Sequence, residues 1–155
     1  MSEMAVAELG LALNMKVLVN SRQKVSMPGV EVVNLPTLLN RSDIVTLHVN
    51  KIHGSDIIGK KELATMREGS LLISTIFTEA IDHKALREEL LSGRLKYASD
   101  TPLHFEAKDL PPYSFICSNE SNAFNTKETL QRMSDRATNS MINLLKTGED
   151  PDRVV

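Results

Sequence analysis

The sequence predicts an α/β domain built on a parallel sheet with helices on both faces. Three observations predict it. Six short runs rich in Val, Ile and Leu are spread along the chain. Helix-forming segments lie between most of them, the pattern of strands buried on both sides by crossover helices. The bulk composition, 41% hydrophobic and 25% charged over 155 residues, is that of a globular chain long enough to bury a core.

The elements follow in order. Met4 to Asn14, MAVAELGLALN, is apolar all round with Glu8 its only charge, and reads as a helix packed on a sheet. Lys16 to Val19, KVLV, is a buried strand. Pro28-Gly29 punctuates a loop before a second strand, Val30 to Val33. PTLLNRS makes a short helix, since Pro36 suits a first helical turn. Asp43 to Val49, DIVTLHV, is a third strand, and Ile57 to Met66 a helix stopped near Gly69. Leu71 to Thr75 is a fourth strand. Asp82 caps a helix from His83 to Leu91, closed by Gly93. Leu95 to Ala98 and Ser114 to Cys117 are the last strands, on either side of a proline-rich loop. Thr126 caps the longest helix, to Leu145, with Leu130, Met133, Ala137, Met141 and Leu144 near helical spacing. Residues 1–148 are expected to form one domain and 149–155 a tail.

Several function classes are excluded. The net charge is -2 and no basic run exists, so neither nucleic acid nor membrane is an expected partner. One cysteine, Cys117 in the apolar run SFIC, rules out an internal disulfide and fits a buried thiol in a reducing, cytoplasmic setting. The N-terminus lacks the layout of a signal peptide. His48 reads as structural, and no two histidines have metal-site spacing. The methionines Met15, Met27, Met66, Met133 and Met141 read as core or near-core, and Lys60-Lys61 and Arg87-Glu88-Glu89 as solvated helix faces.

Four stretches, ALNMKVLVNSR, LLNRSDIVTLHV, LLISTIFTEAIDHKALREELLSGRL and NAFNTKETLQRM, carry a resemblance. In this order and spacing the chain resembles the nucleotide-binding domain of the D-isomer-specific 2-hydroxyacid dehydrogenases, from about Met4 to Val155. The resemblance implies a Rossmann-like fold that binds NAD or NADP. It implies cofactor contacts at Ser21 and Arg22 after the strand KVLV, at Val49 and Asn50 after DIVTLHV, at Thr75 and Ile76 after LLIS, and at Asp100. Arginine at position 22 after a serine resembles an NADP pattern, because arginine can hold a 2′-phosphate.

The same resemblance exposes four departures. The family's turn NTARG reads STIFTE here, so Phe77 occupies the position of the arginine that binds the substrate carboxylate. Ser121 occupies the position of the acid/base histidine, and serine does not shuttle a proton near neutral pH. Glu106 is the nearest match to the glutamate that orients that histidine. The first strand and its glycine turn are expected ahead of the first helix. The chain starts at Met1, where that turn would end, and Glu3 stands at its last glycine.

The expected function is therefore a degenerate, noncatalytic homologue with at most weak nucleotide binding. The alternative is the C-terminal part of a split or truncated NAD(P)-dependent 2-hydroxyacid oxidoreductase completed by a missing segment. In the family the first strand lies between those matching KVLV and DIVTLHV. Its loss implies that the two inner strands close up, that another chain supplies a strand, or that the domain folds poorly alone. A homo-oligomer is the expected outcome, and the long helix, which in the family packs across domains, would also seek cover.

Overall fold

The structure is a computed structural model, and it describes residues 3–49, 57–76, 80–101, 105–117 and 126–147. It forms two compact units, Met1–Glu120 and Ser121–Val155. In the first, α1 (Glu3–Ala12) precedes β1 (Val17–Val19), β2 (Val30–Val32), α2 (Leu35–Arg41), β3 (Ile44–Leu47), α3 (Lys60–Thr65), β4 (Leu71–Ser74), α4 (His83–Leu91), β5 (Lys96–Ser99) and β6 (Phe115–Cys117). The second holds α5 (Lys127–Thr147).

All strands of the first unit pair in parallel, as the sequence predicts. They form two sheets, β1-β2 and β3-β4-β5-β6. Among the described residues β1 and β3 do not pair, so each has one edge without a ladder. The inner strands have not closed on one another.

Local chemistry sets the helix ends. Asn34 Oδ1 accepts from Thr37 N at 2.9 Å, with Pro36 in the first turn of α2. Asp82 Oδ1 accepts from Lys84 N and Ala85 N, both at 3.0 Å, at the start of α4. The carboxylate thus satisfies two of the four amides that every helix start leaves without an intrahelical partner. After α4 the chain reverses at Gly93, whose φ of 72° is the left-handed conformation glycine adopts without penalty.

The helix expected from Ile57 begins only at Lys60. Ile57 N and Ile58 N both donate to Ala80 O, at 2.9 and 3.0 Å, and Ile58 bridges Ile81. That long-range pairing takes Ile58 into the core, fully buried. Gly59 then caps α3, its N–H donating to Glu62 Oε2.

The core lies along β3 to β5 under α3 and α4. Leu63, Leu72, Leu86, Leu90, Leu95 and Tyr97 are buried in it. Tyr97 stacks on Phe115, with ring centroids 6.0 Å apart and planes at 4°.

Arg94 locks this region together. Its Nη1 and Nη2 donate to Met66 O and Leu63 O, at 2.7 and 2.6 Å, and its Nε donates to Glu89. Glu89 therefore does not lie on a solvated face. It holds the guanidinium that caps the last carbonyls of α3.

The β1-β2 side is thinner. α1 approaches β1 closely, since a Cβ added at Gly10 would stand 3.0 Å from Val17 Cγ2. The helix is not covered all round, because Ala7 is buried while Leu9 and Leu13 are exposed. Arg41 forks onto both carboxylate oxygens of Glu31, at 2.7 and 2.9 Å. That hydrogen-bonded guanidinium holds the Glu31 carboxyl below its usual range.

Of the methionines expected in or near the core, Met66 is buried and Met27 half-buried, whereas Met15, Met133 and Met141 are exposed. Cys117 is half-buried rather than buried. Among the described residues no helix is long and apolar enough to cross a membrane. Residues 149–155, expected to be a tail, lie outside the described residues.

Candidate functional site

Parallel strands place all their C-terminal ends on one edge of a sheet, where open α/β sheets hold ligands. In the four-stranded sheet the register aligns Leu47, Ser74, Ser99 and Cys117 in one row. The residues that follow this row, His48-Val49, Thr75-Ile76 and Asp100-Thr101, therefore emerge side by side, about 4.8 Å per strand.

Each is set differently. His48 Nε2 lies 3.0 Å from Thr46 Oγ1 on its own strand end. Val49 is half-buried. Thr75 is exposed, and Ile76 packs against the core. Asp100 accepts from Thr101 Oγ1 at 3.1 Å, and Thr101 N donates to Ser99 Oγ at 3.1 Å. These contacts sit at the C-terminal end of β5, where Asp100 is half-buried. Thr75 and Asp100, two of the polar positions expected from the resemblance, thus follow neighbouring strand ends.

At the end of β1, Asn20 Nδ2 donates to Val33 O at 2.9 Å and ties β1 to β2. Ser21 Oγ accepts from Gln23 N at 3.1 Å. The Ser21 hydroxyl thus shapes its own turn, and Arg22 beside it is exposed.

Glu106 lies in the loop after β5, exposed, with Lys108 Nζ 3.9 Å away. Asn50, Phe77 and Ser121 lie outside the described residues. By chain connection Phe77 comes three positions after the end of β4, whose neighbours are β3 and β5.

Sequence reasoning missed a polar cluster beneath this edge. Ser74 and Tyr97 are buried, and neither Ser74 Oγ nor Tyr97 Oη has a hydrogen-bond partner among the described residues. Burial pushes the Tyr97 phenol above its ordinary value, opposed by the nearby Ser99 and Ser74 hydroxyls. Those hydroxyls approach the phenol as hydrogen-bonding groups but do not reach good hydrogen-bond geometry with it. Period-two spacing was the available signal, since it puts Leu72 with Ser74 on one face of β4 and Tyr97 with Ser99 on one face of β5. Among the described residues no cluster of three His, Cys, Asp or Glu could hold a metal ion.

Residues 4–126 match the family model described as D-isomer specific 2-hydroxyacid dehydrogenase, NAD binding domain. The chain is 32% identical over 136 residues to a glyoxylate reductase of Thermofilum pendens, covering 83% of this chain and 39% of that protein. It is 34% identical over 93 residues to a hydroxypyruvate reductase of Thermotoga maritima, covering 58% and 30%. Among solved structures, a glyoxylate reductase from Paecilomyes thermophila superposes with a TM-score of 0.84 at 26% identity, covering 95% of this chain and 47% of that one. The chain thus spans less than half the length of these relatives.

Proposed function

The chain belongs to the D-isomer-specific 2-hydroxyacid dehydrogenases through their NAD-binding domain, and from that premise we propose that it is a noncatalytic member with weak affinity for NAD(H) or NADP(H). One observation carries the reading. In the sequence, Phe77 stands three positions after Ser74, the last residue of β4, where the resemblance puts the arginine that binds the substrate carboxylate. A phenyl ring offers a carboxylate neither charge nor hydrogen-bond donor, so substrate would not be oriented there.

Two further features agree. Ser121 stands at the position the resemblance gives to the histidine, and a serine hydroxyl there does not titrate near neutral pH to move the proton. Glu106 pairs with Lys108 in an exposed loop. Ser21, Arg22, Val49, Asn50, Thr75, Ile76 and Asp100 would supply the residual cofactor contacts, with Arg22 favouring NADP. When bound, the cofactor would supply hydride transfer. The chain's own residues would hold its ribose and nicotinamide ends without fixing a substrate beside them.

Calorimetric titration of the full chain with each nicotinamide cofactor tests the reading. The expected affinity is millimolar or weaker, about -4 kcal/mol or less favourable. Micromolar binding, or reduction of glyoxylate or hydroxypyruvate, would overturn it.

A second reading is favoured by the unpaired edges of β1 and β3. In it, a strand from another polypeptide pairs with both edges and brings a glycine turn to the start of α1, making this chain one part of a divided oxidoreductase. Adding such a segment in trans would then raise cofactor affinity into the micromolar range. No change on addition counts against it.

A further inference from the structure

The geometry points to Cys117 as a site of reversible oxidation, where a hydroperoxide converts the thiol to a sulfenic acid and the Tyr97 and Ser99 hydroxyls hold the new oxygen. Cys117 ends β6, which lies at the margin of its sheet and pairs only with β5 among the described residues. The thiol is half-buried, within reach of a small solute. The register sets Cys117 beside Ser99 and Phe115 beside Tyr97. Period-two spacing turns all four side chains to one face, with the two strands about 4.8 Å apart. Ile116, between Phe115 and Cys117, faces the other way and is exposed.

The hydroxyls around the thiol make the site. Tyr97 and Ser74 are buried almost completely, and Tyr97 Oη and Ser74 Oγ have no hydrogen-bond partner among the described residues. Ser99 Oγ accepts from Thr101 N at 3.1 Å and keeps its own proton to donate. Charge on Cys117 is felt by the Tyr97 phenol, as is that on Asp100, so the sulfur and the phenol oxygen are close in space. A buried hydroxyl without a partner is costly. The reduced thiol relieves neither, because its sulfur accepts only weakly. An oxygen bonded to that sulfur is a good acceptor.

In the oxidation, the sulfur attacks the terminal oxygen of the hydroperoxide. An S–O bond forms as the O–O bond breaks. Sulfur gives up an electron pair, the peroxide is reduced to an alcohol or to water, and the thiol proton leaves with the departing oxygen. Tyr97 Oη then donates to the sulfenic oxygen and accepts from Ser74 Oγ, while Ser99 Oγ donates from its own strand. Both orphaned hydroxyls therefore gain partners only in the oxidised chain, and a linked series of such bonds strengthens each member. An oxygen held in this way protects the sulfur from the second attack that would give the irreversible sulfinic acid. Cys117 is the only cysteine of these 155 residues, so no second thiol of the chain converts the product to an internal disulfide.

Hydrogen peroxide added to the reduced full chain, followed by trapping with dimedone, tests this, because dimedone labels a sulfenic acid and leaves methionine sulfoxide untouched. Wild type should take a single label, on Cys117, and Cys117→Ser none. Tyr97→Phe keeps the ring and removes the donor, and should shorten the lifetime of the sulfenic acid about tenfold, the worth of one hydrogen bond. Ser74→Ala acts one bond further away and should shorten it less. Ile116→Ala, on the opposite face, should leave it unchanged. Urea unfolding gives a second readout: peroxide should raise the midpoint of wild type relative to Cys117→Ser treated alike, and should not raise that of Tyr97→Phe. A Cys117 that stays unlabelled, or that passes to sulfinic acid with no trapped intermediate, overturns the inference. So does a sulfenic acid that lasts equally long in Tyr97→Phe, and Ser74→Ala decides by the same criterion if Tyr97→Phe fails to fold.

Discussion

Tyr97→Phe is the perturbation that most directly tests the polar cluster beneath the sheet edge. Tyr97 is 1% exposed, and its hydroxyl has no partner among the described residues. An unmet buried polar group costs about 1–3 kcal/mol, whereas a net hydrogen bond contributes only about 0.5–1.5 kcal/mol. The ring's stacking on Phe115 survives the change. Deleting the hydroxyl should therefore stabilise the protein by about 1 kcal/mol. Urea unfolding should show a higher midpoint with an unchanged slope.

The sign extends to pH. The Tyr97 phenol is raised in the folded state by burial. The unfolded chain then loses its proton first as pH climbs past about 10, the ordinary tyrosine value. Wild-type stability should fall above that pH, and Tyr97→Phe should fall less. The reasoning is refuted if Tyr97→Phe lowers stability by about 1 kcal/mol or more, because the hydroxyl would then be bonded in the native state. Ser74→Ala combined with Tyr97→Phe should be additive if the two hydroxyls do not bond each other.

Other outcomes follow from the same geometry. Arg94→Ala removes two charged bonds to α3 carbonyls and strands Glu89, so it should cost about 3 kcal/mol in urea unfolding; a loss under about 1 kcal/mol would show the clamp to be incidental. Asp82→Ala should cost about 1 kcal/mol, with Asp82→Asn recovering most of it. Phe77→Arg with Ser121→His should restore no detectable reduction of glyoxylate, and measurable turnover by that pair would show a working cofactor cradle.

Where structure depends on neighbours in sequence, the chain could be read directly. Asp82 and Gly93 bracket α4 at the positions their chemistry demands, and Asn34-Leu35-Pro36 opens α2. Where structure depends on distant partners, reading failed. Ile57-Ile58 continues a helical apolar pattern, yet Ala80 O captures both amides and turns the segment into a bridge. Glu89 sits among charges that look solvated, and only the arrival of Arg94 at the end of α3 turns it inward. Met133 and Met141 sit at core spacing because their stripe is apolar, but spacing does not say whether the covering surface belongs to the same chain. At the site, the strand ends were legible, since a parallel sheet must gather them on one edge. The orphaned hydroxyls of Ser74 and Tyr97 were not, because burial and missing partners are properties of packing.

The separation of β1-β2 from β3-β6 also divides the molecule in time. A two-stranded ribbon is marginal by itself, and this one is tied together by three-residue strands, the Asn20 bond to Val33 and the Arg41–Glu31 fork. β4 and β5, by contrast, have a hydrogen-bonded neighbour on each side and the buried leucines around them. Amide hydrogens of Val17–Val19 and Val30–Val32 should thus exchange with solvent through local opening, well before those of Leu71–Ser74 and Lys96–Ser99. The segment that bears Ser21 and Arg22 hangs from the faster half, so any ligand held there would be gripped by the part of the fold that most often lets go.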